Sequence, residues 1–273
     1  AGMAKLNANK VPIRLSVRFM RDSNHVKQGL KDLSLSTGSV SHIFVLHASL
    51  KGPMFTVRIW DLPTRLFHWT LAASVLGLVI TGNWGGEAMP WHFRFGYLVL
   101  SLLLFRFSWG IFGGHWSRWS QLPLSPANLL AYFRGQRSVL FMAGHNPLGS
   151  LSVIALMFFL SLQVATGLFS DDEIANMGPL SSQVSNAMVS LATSWHKHWG
   201  KFMVIILVTL HLLALAWYRY QKKQSLVPAM WHGSKELPEV VPPSIDNWRS
   251  RLLALFVFLL SVLAVNGILS LGN

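Results

Sequence analysis

Five stretches of the chain stay apolar long enough to span a bilayer, and the residues between them turn polar and cationic. Leu66–Gly82 (LFHWTLAASVLGLVITG), Phe93–Gly113, Leu148–Phe169 (LGSLSVIALMFFLSLQVATGLF), Trp199–Tyr218 and Leu252–Leu271 run 17 to 22 residues each. A helix of about 20 residues crosses roughly 30 Å of hydrocarbon. None of the five alternates with a period of two, so a closed β-barrel is not the expected architecture. The pattern predicts an all-α integral membrane protein with five spans, the second interrupted by Arg94 and Arg106.

Ahead of the first span the texture differs. Residues 1–53 hold one apolar patch, His42–Leu50 (HIFVLHASL), too short to cross. With eight Lys/Arg against two Asp they carry +6 of the formal net charge of +13. They read as a poorly ordered basic extension, either an arm on anionic lipid or sequence translated upstream of a start at Met54. His25, His42 and His47 are assigned no chemistry. The expected division is an extension (1–53), a membrane bundle (54–220), a connecting loop (221–251) and a fifth helix (252–273).

Composition agrees with a membrane protein. Apolar residues make up 52% and charged residues 12%, about half the charged share of a soluble domain. The 12 Trp and 17 Phe suit interfacial anchoring and helix packing. A charge of +13 would also suit nucleic acid, but here the cations lie between apolar runs and not on one polar element. The chain has no Cys, which excludes disulfides, iron–sulfur clusters, thiolate haem ligation and covalent haem attachment. A metal would fall to the 11 His, the Met residues or the few carboxylates.

The loop charges predict an orientation. Arg58 and Arg65 precede the first span, and Arg118, Arg134 and Arg137 follow the second. Arg219, Lys222, Lys223, Lys235, Arg249 and Arg251 lie between the fourth and fifth. The loop after the third span carries Asp171, Asp172 and Glu173 instead. The positive-inside rule then puts the N-terminus in the cytoplasm and the C-terminus outside.

Ionisable residues within apolar spans carry the functional signal, because lipid makes them costly. His68 and His211 lie well within spans, towards the inner side; His92 and His196 sit at the outer ends of the second and fourth. The four separate by depth into an inner and an outer pair, each joining different helices. Facing neutral imidazoles are what bis-His haem iron requires. The plain alternative is helix-end histidines bonded to backbone or lipid. Arg106 follows His92 by 14 residues, so it lies only about 40° away around the helix and about 21 Å deeper. There a haem propionate would suit its guanidinium, the alternative being snorkelling to inner headgroups.

At this point a resemblance enters. Val57–Trp69 (VRIWDLPTRLFHW) resembles the opening of the bacterial cytochrome b561 and nickel–iron hydrogenase cytochrome b family. Gly144–Gly149 (GHNPLG), Gln163–Phe169 (QVATGLF) with the DDE that follows, Gly178–Leu180 (GPL) and Leu226–Lys235 (LVPAMWHGSK) resemble its subgroup serving periplasmic c-type cytochromes. The resemblance covers about residues 54–271. It implies a four-helix core in the bacterial inner membrane holding two b haems, with a fifth helix in some members. The implied ligands are His68, His92 and two His of the fourth helix.

One spacing departs from the family's. Its two fourth-helix ligands usually stand 14 apart, which from His211 points back to Lys197. His196 is 15 positions away, about 60° off, and a single π-bulge would absorb the extra residue. His198 is 13 away and about 140° off. His196 is therefore the expected ligand, with His198 the alternative. Asn146 before Pro147 reads first as an N-cap; with His145 beside it, a quinone-head or proton-relay candidate, it is also a possible quinone contact. His115 and His232 fall in loops, and the Trp residues read mostly as interfacial anchors.

The expected function is electron transfer between the quinone pool (ubiquinone or menaquinone) and a periplasmic c-type cytochrome or other redox partner. One alternative is the cytochrome b subunit of a hydrogenase or other dehydrogenase. A different class is a haem-free transporter using these histidines.

Overall fold

The computed structural model describes residues 54–136 and 138–272; the expectation for residues 1–53 lies outside them. A strand β1 (Phe55–Arg58) leads into α1 (Leu62–Trp84), then α2 (Met89–Phe112). Two short helices follow, α3 (Pro126–Phe133) and α4 (Val139–Ala143), before α5 (Pro147–Leu168). Next come α6 (Asn186–Ser194), a π-helical turn at Trp195–Gly200, and α7 (Lys201–Tyr220). The chain closes with α8 (Val227–His232), β2 (Ser234–Leu237) and α9 (Trp248–Ser270).

Five helical runs are long and apolar enough to cross a membrane: Leu62–Trp84, Gly86–Phe112, Pro147–Leu168, Asn186–Tyr220 and Trp248–Ser270. Their starts follow local chemistry. Asp61 caps α1 by accepting Thr64 N–H at 2.8 Å, Asn146 caps α5 through Gly149 N–H at 2.7 Å, and Asn247 caps α9 through Ser250 N–H at 2.9 Å. Pro63, Pro90 and Pro147 stand in first turns, where a missing N–H costs nothing. All five runs begin earlier than the hydrophobic pattern indicates, the second by seven residues and the fourth by thirteen. His92 therefore lies inside α2, and His196 inside the continuous helix of residues 186–220.

The apolar core is built around α2. Val99, Leu102, Leu103, Phe105 and Trp109 are buried against Phe67 of α1, Met157, Leu160 and Val164 of α5, Val204 of α7 and Ala254 of α9. α2 packs along α1 and α9, and α5 packs along α7. α1 and α7 have little direct backbone packing, although their histidines face one another.

The pattern of spans predicts an all-α chain; the described residues are mostly helical, with one short two-stranded sheet. β1 and β2 pair antiparallel, Phe55 opposite Leu237 and Arg58 opposite Ser234. Residues 221–251 hold α8 and β2 and are thus tied to the start of the described chain. Gly233, at φ 88°, ends α8 in the left-handed region that favours glycine, and its carbonyl accepts Ile59 N–H and Trp60 N–H. Val57, Ile59, Trp60, Trp116, Ala143, Ala229, Leu237 and Val241 form a second apolar cluster there. Asp246 pins it with ion pairs to Arg58 (3.2 Å) and Arg251 (2.9 Å). Strands of four residues are too short to register as periodicity. This is the basic end of the protein; the opposite one is the far end.

Trp84, Trp91, Trp199 and Trp217 are exposed, as anchors would be. Trp60, Trp109 and Trp116 depart from that expectation and are buried; Trp109 donates to Asp61 and Trp116 to Pro242 O.

Candidate functional site

Two histidine pairs connect the helices at different levels. Towards the basic end, His68 of α1 and His211 of α7 have ring centres 6.5 Å apart with planes at 52°. Towards the far end, His92 of α2 and His196 of the π turn have ring centres 6.0 Å apart with planes at 90°. His198, the alternative to His196, is exposed, and its Nδ1 lies 3.2 Å from Ser194 O of its own helix. The π turn falls at the point where a 15-residue spacing needs it.

The donor set can be tested against a metal-centred group. Imidazole–metal bonds are about 2 Å long, so two rings sharing one metal ion have centres roughly 6 Å apart. Both pairs have that separation. His92 Nδ1 lies 3.1 Å from Leu78 O, and His196 Nδ1 lies 2.8 Å from Gln163 O. A carbonyl only accepts, so Nδ1 carries the proton in each ring and Nε2 is left with its lone pair, the arrangement in which a histidine binds a metal through one nitrogen while a carbonyl holds the other. At the basic end His68 Nδ1 is buried without a partner. Among the described residues no three His, Asp or Glu side chains cluster as a metal-ion cage. Paired imidazoles with no third ligand suit a group that brings its own equatorial donors, as a porphyrin does.

Arg106 is buried, as its place in the span implies. Its Nη1 donates to Ser117 O at 3.0 Å, and its guanidinium lies 4.1 Å from the centre of the Trp119 ring. A carboxylate that the pattern of apolar spans does not signal lies beside it. Asp61 is fully enclosed and accepts Thr64 N–H, Trp109 Nε1–H, Gly114 N–H and Ser117 Oγ–H. From sequence, Asp before Leu-Pro signals only a helix cap.

The two quinone-site candidates fare differently. Asn146 has both ends of its amide engaged: Oδ1 caps α5, and Nδ2 donates to Tyr218 Oη at 2.6 Å. Tyr218 Oη in turn lies 2.9 Å from Tyr132 Oη. His145 packs against Trp60 with ring centres 4.8 Å apart, and its buried Nδ1 has no partner. Burial pushes its imidazole down to about 3, with the charges of Lys235 and Arg106 adding to the effect. Lys235 was also missed as a buried group. It donates to Met142 O, Ala143 O and Gly144 O, closing the C-terminal end of α4, and burial lowers its pKa to about 8.

Residues 59–233 match the family model described as prokaryotic cytochrome b561. The chain is similar to proteins named probable Ni/Fe-hydrogenase B-type cytochrome subunits. With that of Azotobacter chroococcum mcd 1 it is 26% identical over 212 residues, covering 65% of this chain and 87% of the relative. With that of Cupriavidus necator it is 26% identical over 210 residues, covering 64% and 85%. With that of Bradyrhizobium diazoefficiens it is 21% identical over 216 residues, covering 66% and 86%. No solved structure matches.

Proposed function

The chain belongs to the prokaryotic cytochrome b561 family, and from that premise we propose that this membrane b-type cytochrome carries electrons between the quinone pool and a periplasmic c-type cytochrome. It does so in the bacterial inner membrane, basic end in the cytoplasm, with two haems b. His68 and His211 hold one, and His92 and His196 the other. The observation that carries the reading is the pair of ring separations, 6.5 and 6.0 Å, at two levels of one set of helices. Haem bound at each pair supplies one-electron redox chemistry.

The chain's own residues do the rest. The carbonyls of Leu78 and Gln163 hold Nδ1 of His92 and His196, so that Nε2 is presented to the metal. Arg106 spends one N–H on Ser117 O. A guanidinium has five donors, and the others would be available to a haem carboxylate. His145 offers its unpartnered nitrogen to a ubiquinone or menaquinone head; Asn146, with its amide engaged, holds the helix start instead.

A second reading, the membrane subunit of a hydrogenase, is favoured by the printed names of the relatives. Copurification of this chain from native membranes with hydrogenase subunits would select it. A haem-free metal transporter is disfavoured, since the described residues offer no three-ligand cluster.

The test is a haem count. Reduced-minus-oxidised spectra should show a b-type α-band, and pyridine haemochrome should give two haems per chain. His68→Ala and His211→Ala should lose one spectral component, and His92→Ala and His196→Ala the other. His198→Ala should keep both. Loss of the same component from His68→Ala and His92→Ala would overturn the pairing.

A further inference from the structure

Gly82 and Gly167 occupy the same position relative to the far-end histidines, although they lie on different helices. His92 Nδ1 reaches the carbonyl of Leu78, four residues before Gly82 on α1. His196 Nδ1 reaches the carbonyl of Gln163, four residues before Gly167 on α5. In an α-helix the carbonyl of residue i accepts the N–H of residue i+4, and that donor here is the glycine in both cases. The oxygen keeps a second lone pair, but a ring approaching it from the side passes over the place where the Cβ of residue i+4 would be.

The clearances bear this out. A methyl group on Gly82 would lie 2.9 Å from Cε1 and 3.0 Å from Nδ1 of His92. One on Gly167 would lie 2.8 Å from Cε1 and 3.1 Å from Nδ1 of His196. These contacts are too close to keep, and what would have to move is the ring. Gln163 adds a third hold: its Nε2 donates to the backbone carbonyl of His196 at 2.9 Å, so residue 163 grips residue 196 by carbonyl and side chain together.

We propose that Leu78 with Gly82, and Gln163 with Gly167, form two copies of one docking element, a helix carbonyl laid open by the glycine four residues on, which sets the tautomer and ring plane of His92 and His196. Gly82 and Gly167 are positioning residues that never touch the metal. The proposal rests on the reading of His92 and His196 as axial ligands. It gives the Gln163–Phe169 segment a role in holding the far-end group. The basic-end pair lacks the element, since His68 Nδ1 has no partner.

The perpendicular far-end rings provide the readout. The low-spin EPR spectrum of a bis-imidazole haem depends on the angle between its two ring planes. The experiment takes Gly82→Ala and Gly167→Ala in the full-length protein, with His92→Ala and His196→Ala to identify the far-end component. Two controls add a methyl group elsewhere. At Gly77 it crowds the Phe95 ring at 2.7 Å without meeting a histidine, and at Gly267 of α9 it meets nothing within 4 Å. Gly82→Ala and Gly167→Ala are expected to shift or abolish the far-end EPR signal and lower haem to between one and two per chain. The basic-end signal should be unchanged, Gly267→Ala should match the parent protein, and Gly77→Ala should keep the far-end EPR signal although the Phe95 ring has to shift. A parental far-end signal in both glycine variants would overturn the proposal, as would a Gly77→Ala effect as large as that of Gly82→Ala. Two haems retained in His92→Ala and His196→Ala would overturn the ligand reading itself.

Discussion

Asp61 has no exposed surface, and four donors from residues 64, 109, 114 and 117 converge on its two oxygens. Asp61→Ala would leave Thr64 N–H, Trp109 Nε1–H and Gly114 N–H buried without that partner, while Ser117 Oγ keeps Thr64 Oγ1 at 2.7 Å. At about 1 kcal/mol or more for each orphaned donor, the expected loss is roughly 3 kcal/mol. Thermal unfolding in detergent should show a clearly lower midpoint, with Asp61→Asn between the two because its amide keeps one acceptor. A parental midpoint for Asp61→Ala would mean that water or a neighbour replaces the carboxylate. This residue also marks the limit of what the sequence displays. His68, His92, His211 and Arg106 stand out because polar groups interrupt apolar runs, which is visible in one dimension. The importance of Asp61 comes from partners up to 56 positions away, and that of Gly82 and Gly167 from rings on other helices.

The π turn shows how far an element can be inferred from spacing. Fifteen residues separate His196 from His211, one more than a regular helix needs to bring both to one face, and Trp195–Gly200 take up the extra residue. Deleting the exposed Lys197 should therefore let the segment relax to an ordinary α-helix with both imidazoles still facing inward. The deletion is expected to keep two haems per chain, whereas inserting one alanine after Lys197 should lose the far-end haem. One haem in the deletion variant would show that the wider turn itself, and not the count of residues, orients His196. The β1–β2 pair was not legible in the same way: four-residue strands carry no usable period, and their partners are 176 to 182 positions apart.

At the far end the loop after α5 carries Asp171, Asp172 and Glu173, and no Lys or Arg follows them before Lys197. These carboxylates do different work. Asp172 accepts Ile174, Ala175 and Asn176 N–H, and Asp171 accepts Glu173 N–H, so both shape the loop. Glu173 is exposed and projects its charge outward. If a lysine-rimmed cytochrome docks here, Glu173→Gln should slow its reduction at low salt. One charge acting over 10 Å of water contributes about 0.4 kcal/mol, roughly a twofold change in rate, and 0.5 M salt should erase the difference. Asp172→Ala should instead disorder the loop and slow the reaction at every ionic strength. A salt-independent rate in Glu173→Gln would place the partner elsewhere. The five spans and their order were legible because lipid imposes length and polarity on the sequence directly. The closing of the basic end was not, since it depends on which distant segments meet.

That closure has a consequence for how the protein is made. β1 leaves the ribosome first and its partner strand follows some 180 residues later, which at 5–20 residues per second is a delay of about 9–35 s. Four of the five spans are synthesised within it. Until Ser234–Leu237 arrive, Trp60 has no lid of Leu237 and Val241, Lys235 is absent from the carbonyls of residues 142–144, and Arg58 lacks Asp246. The nascent chain thus passes through a stage with its helices in place and one doorway still open, and the last segment translated before α9 is the one that shuts it.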